Sequence, residues 1–211
     1  MRDKFEEELK RLNNLIIQMG KMIEIAIESS VLALMGRDKD SAKTVRENDY
    51  AINDMERDIE GLCMKLLLQQ QPLASDLRTI TATLKMITDM ERIGDHAADI
   101  ADLVLQLPDL KYSKISEISD MSAEVINMIH MSIEAFIEKD YSKAKNVIAG
   151  DDKIDELYHI IKADLIEKIK KTEEGEQILD YLLIAKYLER IADHATIIAE
   201  WAIFALTGKK E

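Results

Sequence analysis

Apolar residues recur at steps of three and four along most of this chain, which predicts long amphipathic helices. The first carries Phe5, Leu9, Leu12, Ile16, Met19, Ile23, Ala26 and Ile27 on one face. Gly36 to Ser41 breaks it, and Asp38 or Asp40 caps a second helix through Val45, Ile52, Met55, Ile59, Leu62 and Leu66. Pro72 closes that helix, because a proline in a helix interior removes a hydrogen bond and clashes with the preceding turn. Ser75 or Asp76 caps a third helix through Ile80, Leu84, Ile87, Met90, Ile93, Ala97 and Ile100, and Pro108 ends it. Three more helices are predicted over 116–138, 142–171 and 176–206, with Gly175 in the last turn and Gly208 at the end.

One phrase occurs twice. Glu91-Arg92-Ile93-Gly94-Asp95-His96-Ala97 returns as Glu189-Arg190-Ile191-Ala192-Asp193-His194-Ala195. The likeness extends upstream: Asp38, Ala42, Lys43, Val45, Asp49, Ile52 and Ile59 match Asp140, Ala144, Lys145, Val147, Asp151, Ile154 and Ile161. The offsets are 140 − 38 = 102 and 189 − 91 = 98, so the first copy carries four extra residues around Gln69 to Ser75. A repeat this long is a duplicated domain rather than a solenoid unit. The fold expected is all-α: six helices in two tandem three-helix bundles related by pseudo-symmetry, residues 1–108 and 109–211.

Residues four apart on a helix share a face, so Glu91 and Asp95 point the same way, as do Glu189 and Asp193. The second and fifth helices add Asp49 with Asn53, and Asp151 with Asp155. Brought together by antiparallel packing, these oxygens suit hard or borderline cations such as Mg, Mn, Fe and sometimes Zn. A single acidic pair is commonplace on a solvated helix. Repetition at matched positions within apolar segments turns the reading towards metal.

Asp99, Asp102, Glu56 and Glu60 lie on the same stripes in the first copy, and Glu200 in the second. Ile197 replaces Asp99 and Tyr158 replaces Glu56, so the two sites need not bind metal equally. Arg92 and Arg190 are either partners of the carboxylates or ordinary surface ion pairs. His96 and His194 are turned about 100° from the preceding acid, which favours a structural role over ligation of the same ion.

Composition narrows the function. Seven Gly and two Pro are few for 211 residues and agree with an all-helical chain. A net charge of −13 without a basic stripe argues against nucleic acid as partner. Cys63 sits in an apolar run and reads as a core thiol. Met19, Met22, Met86 and Met90 read as core, and Trp201 and Phe204 as core anchors. Asp3, Glu6, Glu7 and Glu8 interrupt any signal sequence, and charge breaks every apolar stretch short of a membrane span, so a cytoplasmic location is expected. There is no Glu-x-x-His pairing, Gly-rich phosphate loop, nucleophile elbow or Cys-x-x-Cys.

The segment from Gln69-Gln70-Gln71-Pro72-Leu73-Ala74-Ser75-Asp76-Leu77-Arg78, followed by Glu91-Arg92-Ile93-Gly94-Asp95-His96, resembles the signature of the PhoU family of phosphate-uptake regulators. The resemblance covers nearly the whole chain. It implies two pseudo-symmetric three-helix bundles whose Glu/Asp-x-x-x-Asp motifs hold multinuclear metal clusters. One cluster would use Asp49, Asn53, Glu91 and Asp95, the other Asp151, Asp155, Glu189 and Asp193. Asn53 departs from the acidic motif and offers an oxygen without charge. The metal stays open among Fe, Zn, Mn and Mg. The resemblance further implies a non-enzymatic regulator that restrains phosphate uptake and phosphate-starvation signalling. Its partners would be the ATPase of a phosphate ABC transporter and a sensor histidine kinase, which it would meet at the membrane only through them. A homodimer is possible. The alternatives are a carboxylate-bridged metalloenzyme, a structural scaffold, and a PhoU-like regulator of another transporter.

Overall fold

In a computed structural model, which describes residues 2–69, 72–107, 116–171 and 175–210, the chain forms six helices. They are α1 (Arg2–Gly36), α2 (Lys39–Gln69), α3 (Ala74–Gln106), α4 (Ser116–Glu138), α5 (Tyr141–Ile169) and α6 (Gly175–Thr207). Among the described residues there is no strand, and no helix is long and apolar enough to cross a membrane. The three helices of each half pack pairwise against one another. The two triads then meet through α3 against α6 and α1 against α4. Their buried side chains merge into one continuous core.

The α1 stripe is buried as its spacing predicts: Phe5, Leu12, Ile16, Met19, Ile23 and Ile27 are all 2% exposed or less. The helix ends in a left-handed turn. Arg37 has φ 58°, its N–H donates to the Leu34 carbonyl at 3.3 Å, and the Asp38 N–H donates to the Ala33 carbonyl at 2.9 Å. Asp38, not Asp40, then caps α2, accepting from the Asp40 and Ser41 N–H groups at 3.1 and 3.0 Å. The second copy repeats the device. Lys139 also has φ 58°, the Asp140 N–H donates to the Ala135 carbonyl at 2.9 Å, and Asp140 accepts from the Lys143 N–H at 2.9 Å.

The duplication reaches further than the sequence match indicated. Ser30 and Ser132, 102 residues apart, are both fully buried in the first helix of their triad. Each hydroxyl donates to the carbonyl three residues back, Ile27 and Ile129, at 2.8 Å. A hydroxyl satisfied within its own helix can be buried without a partner from elsewhere.

Several local expectations are corrected. The third helix begins at Ala74, ahead of Ser75 and Asp76, because the Asp76 carboxylate reaches back to accept the Leu73 N–H at 3.0 Å. Gly175 opens α6 rather than standing in the turn before it. Trp201 and Phe204 are only partly buried and meet edge to face, 5.4 Å between centroids, with the Lys210 ammonium 4.8 Å above the indole. Gln70, Gln71 and Pro108 lie outside the described residues, as does the boundary expected between 108 and 109.

Helices α1 and α4 approach closely at Gly20, where an added Cβ would fall 2.5 Å from Ile133 Cδ1. A methyl group there would push only the flexible tip of Ile133, but a larger side chain would force the helices apart. Gly20→Leu is expected to destabilise the chain by about 1–3 kcal/mol in urea unfolding. Adding Ile133→Ala should recover part of that loss, and strict additivity of the two changes would refute the contact.

Candidate metal centres

The two copies place their acids on facing helices, α2 with α3 and α5 with α6. The apolar residues between them anchor these faces. Ile52 on α2 lies over Gly94 on α3, where an added Cβ would sit 3.0 Å from Ile52 Cδ1 and 3.5 Å from Asp49 Oδ1. Gly94 therefore lets α2 come close enough to put Asp49 beside the Glu91 and Asp95 face.

In the first copy Asp49, Asn53, Glu91 and Asp95 are all half-buried. Burial, then the Asp95 and Asp99 carboxylates, push the Asp49 carboxyl up, against a hydrogen bond from Asn53 Nδ2 at 3.2 Å. Burial, then Asp95, push Glu91 up, and Glu56 and Asp49 add to it. This mutual repulsion places the four acids and Asp49 in one field. Two oxygens, Asp49 Oδ1 and Asn53 Oδ1, are buried without a hydrogen-bond partner. Arg92 braces the rim, 3.3 Å from Asp95 and 3.7 Å from Glu91, but is 58% exposed, so it is a surface pair as well as a carboxylate partner. An open cleft of about 650 Å³ runs past this face, lined by Arg46, Asp49, Arg92, Asp95, Asp99 and Asp102 among others.

In the second copy burial, then Asp193, Asp155, Asp152 and Glu189, push Asp151 up to about 6. Asp193 is raised by burial and by Glu189, with Lys186 pulling the other way. Asp155 is exposed, and Glu189 is bound by the Lys186 ammonium. All eight expected residues thus fall in two clusters, one per triad. Among the described residues, no three His, Cys, Asp or Glu side chains converge tightly enough to hold an ion as they stand. The donor set fits a hard cation: carboxylates that repel one another, with two orphaned oxygens in the first copy.

The wider stripe divides. Asp99 and Glu56 act on the first cluster, while Asp102 is held by Arg46 at 3.2 Å and Glu200 by Lys210 at 2.9 Å. Glu60 faces Cys63, whose fully buried thiol burial pushes up to about 12, leaving it inert. The two histidine rings meet in the seam between α3 and α6, although His96 Nδ1 also lies 3.3 Å from Asp99 at the border of the first cluster. Their rings stand 5.7 Å apart, His96 against Tyr187 at 5.4 Å and His194 Nδ1 at 2.8 Å from Asp89. Sequence reasoning missed Lys186, although its i,i+3 spacing to Glu189 was visible, and missed Asp89 and Tyr187, which meet the histidines only through the fold.

Comparison with known proteins agrees with this duplication. The PhoU domain matches twice, over residues 16–104 and 118–202. The phosphate-specific transport system accessory protein PhoU homolog of Clostridium acetobutylicum is 37% identical over 209 residues, covering 98% of this chain and 95% of the relative. Among solved structures, PhoU from Pseudomonas aeruginosa superposes with a TM-score of 0.91 at 32% identity, covering 97% of this chain and all of that one. The phosphate transport system regulatory protein PhoU from Streptococcus pneumoniae gives 0.92 at 31%, covering 98% and 99%.

Asp151 keeps a proton in the folded chain at pH values where the unfolded chain, with the ordinary value of 3.8, has released it. Its contribution therefore destabilises the metal-free fold as pH rises from about 4 through about 6. Asp151→Asn is expected to raise the stability of metal-free protein by about 1 kcal/mol at about pH 7.5 and to leave it nearly unchanged at about pH 3, where the carboxyl is protonated in both the folded and the unfolded chain. Thermal melts at both pH values check this, and equal shifts at the two would contradict it.

Proposed function

The chain belongs to the PhoU family, and we propose that it is a non-enzymatic regulator of phosphate uptake and phosphate-starvation signalling. In this reading it works in the cytoplasm as an adaptor that meets the ATPase of a phosphate ABC transporter and a sensor histidine kinase. Near-full-length likeness to proteins named as accessory to phosphate-specific transport supports contact rather than turnover as the mode of action.

The observation that carries the metal part of the reading is the first cluster's pair of orphaned oxygens, Asp49 Oδ1 and Asn53 Oδ1, beside mutually repelling Glu91 and Asp95. We assign Asp49, Asn53, Glu91 and Asp95 to one metal cluster and Asp151, Asp155, Glu189 and Asp193 to the other. A bound cation of the Fe, Zn, Mn or Mg type would neutralise the acidic face and offer an open position to a partner's carboxylate or a phosphate. The chain's own part is to hold the acids on rigid helices, with Arg92 at the rim limiting the first cluster's net charge.

Elemental mass spectrometry of wild type and of a Glu91→Ala/Glu189→Ala double mutant tests the assignment. Metal is expected in the wild type and lost in the mutant with helicity unchanged. The double mutant is expected to retain the transporter ATPase and the kinase about tenfold less well in pull-downs. Unchanged partner binding after metal is stripped from an intact fold would overturn the adaptor role of the metal.

A further inference from the structure

The two clusters differ at one place where their helices face each other, and the duplication makes the difference readable residue by residue. With the offsets of 98 and 102, Thr88 on α3 corresponds to Lys186 on α6, and Glu56 on α2 to Tyr158 on α5. In the first copy this position holds an acid and a hydroxyl: Thr88 Oγ1 donates to Glu56 Oε1 at 3.4 Å. In the second it holds a cation and a ring. The Lys186 ammonium binds Glu189, a ligand of the second cluster, and stands 5.4 Å from the centroid of Tyr158. Glu189 is 14% exposed and Lys186 41%, so the ammonium enters from solvent onto a mostly buried carboxylate.

The first cluster has its own cation, Arg92, but this is 58% exposed and stands 3.3 Å from Asp95 and 3.7 Å from Glu91, a looser pairing than that of Lys186 with Glu189, and two further differences favour the first cluster. Ile197 stands where the first copy has Asp99, which removes a further carboxylate from the second face. Lys186 also attracts Asp193, the other acid of the repeated phrase. Orphaned carboxylate and amide oxygens occur at Asp49 and Asn53 in the first copy, where the Thr88 hydroxyl supplies no charge.

We propose that Lys186 is a built-in cation of the second cluster, competing with metal for Glu189, so that the first cluster loads first and the second loads only when the lysine swings out. The inference rests on the metal reading above. A lysine is suited to this exchange: its charge sits at the tip of a flexible four-carbon stem, which can leave for solvent without disturbing the helix. Each metal ion that enters the second cluster must displace an ammonium already paired with a ligand, or tolerate it as a like charge nearby. The second cluster then responds to metal only at concentrations where the first is already filled.

The test separates the clusters with single variants of the full chain. Glu91→Ala leaves the second cluster to report alone, and Glu189→Ala leaves the first. Binding of Mn²⁺ and of Zn²⁺, each added alone, is measured by titration with elemental analysis of the bound fraction. In the Glu91→Ala background, Lys186→Thr is expected to tighten binding about tenfold. Lys186→Met, which keeps the stem over Tyr158 and removes only the charge, should do the same. In the Glu189→Ala background, Thr88→Lys is expected to weaken the first cluster by a similar factor. Binding to the second cluster that neither lysine variant changes, or a first cluster indifferent to Thr88→Lys, would overturn the proposal and leave the metal reading standing. Failure of every variant and of the wild type to bind either metal would overturn both.

Discussion

The seam between α3 and α6 is the constraint on which the rest of the molecule depends. The buried residues of these two helices repeat at positions 98 apart, Ile93 with Ile191, Ala97 with Ala195, Ile100 with Ile198 and Ala101 with Ala199. Alanines let the two helices lie close, and isoleucines lock their rotation through stiff, branched side chains. Once that rotation is set, the acids that precede His96 and His194 are turned out of the seam, towards α2 in one triad and α5 in the other. The same seam brings the two histidine rings together, with His96 bonded to Asp99 at the border of the first carboxylate face and His194 to Asp89.

Holding acids on a framework of this kind costs free energy that the apolar core must offset. Asp49, Glu91, Asp151 and Asp193 are all raised, first by burial and then by other carboxylates. Surface acids could relax by moving apart, but these sit on helices fixed by Ile52 against Gly94 and by Ile154 in the corresponding place. Stability is therefore spent at the faces that carry the proposed work. The relief differs between the copies, through Arg92 at an exposed rim in one and Lys186 against a mostly buried acid in the other.

Much of this was legible in the sequence because the chain says it twice. The repeated Glu-Arg-Ile-x-Asp-His phrase supplied four of the eight candidate ligands, and the upstream match between the halves supplied the other four. Helical periodicity indicates which residues share a face but not which side chains cross to another helix. That is why the bond from His194 to Asp89, 105 residues away, and the Lys186 cation were not anticipated. Trp201 was misplaced for a related reason: an aromatic ring on an apolar stripe can lie at its edge, with Lys210 covering the open side. Helix starts were read from residue type alone, and a carboxylate three positions inside the helix, Asp76, moved the start of α3 earlier.

The twin left-handed turns at Arg37 and Lys139 have a consequence for how the chain reaches this structure. Each encodes a reversal between long helices within a few residues, by a carbonyl lock on one side and an aspartate cap on the other. Such helical hairpins need only local contacts, so α1 with α2 and α4 with α5 can zip early and separately, before any distant part of the chain is in place. The contact of α3 with α6 then joins the two triads. A hairpin of α1 with α2, or of α4 with α5, carries only half of the proposed ligands of its triad, so neither carboxylate face is complete until the third helix has docked.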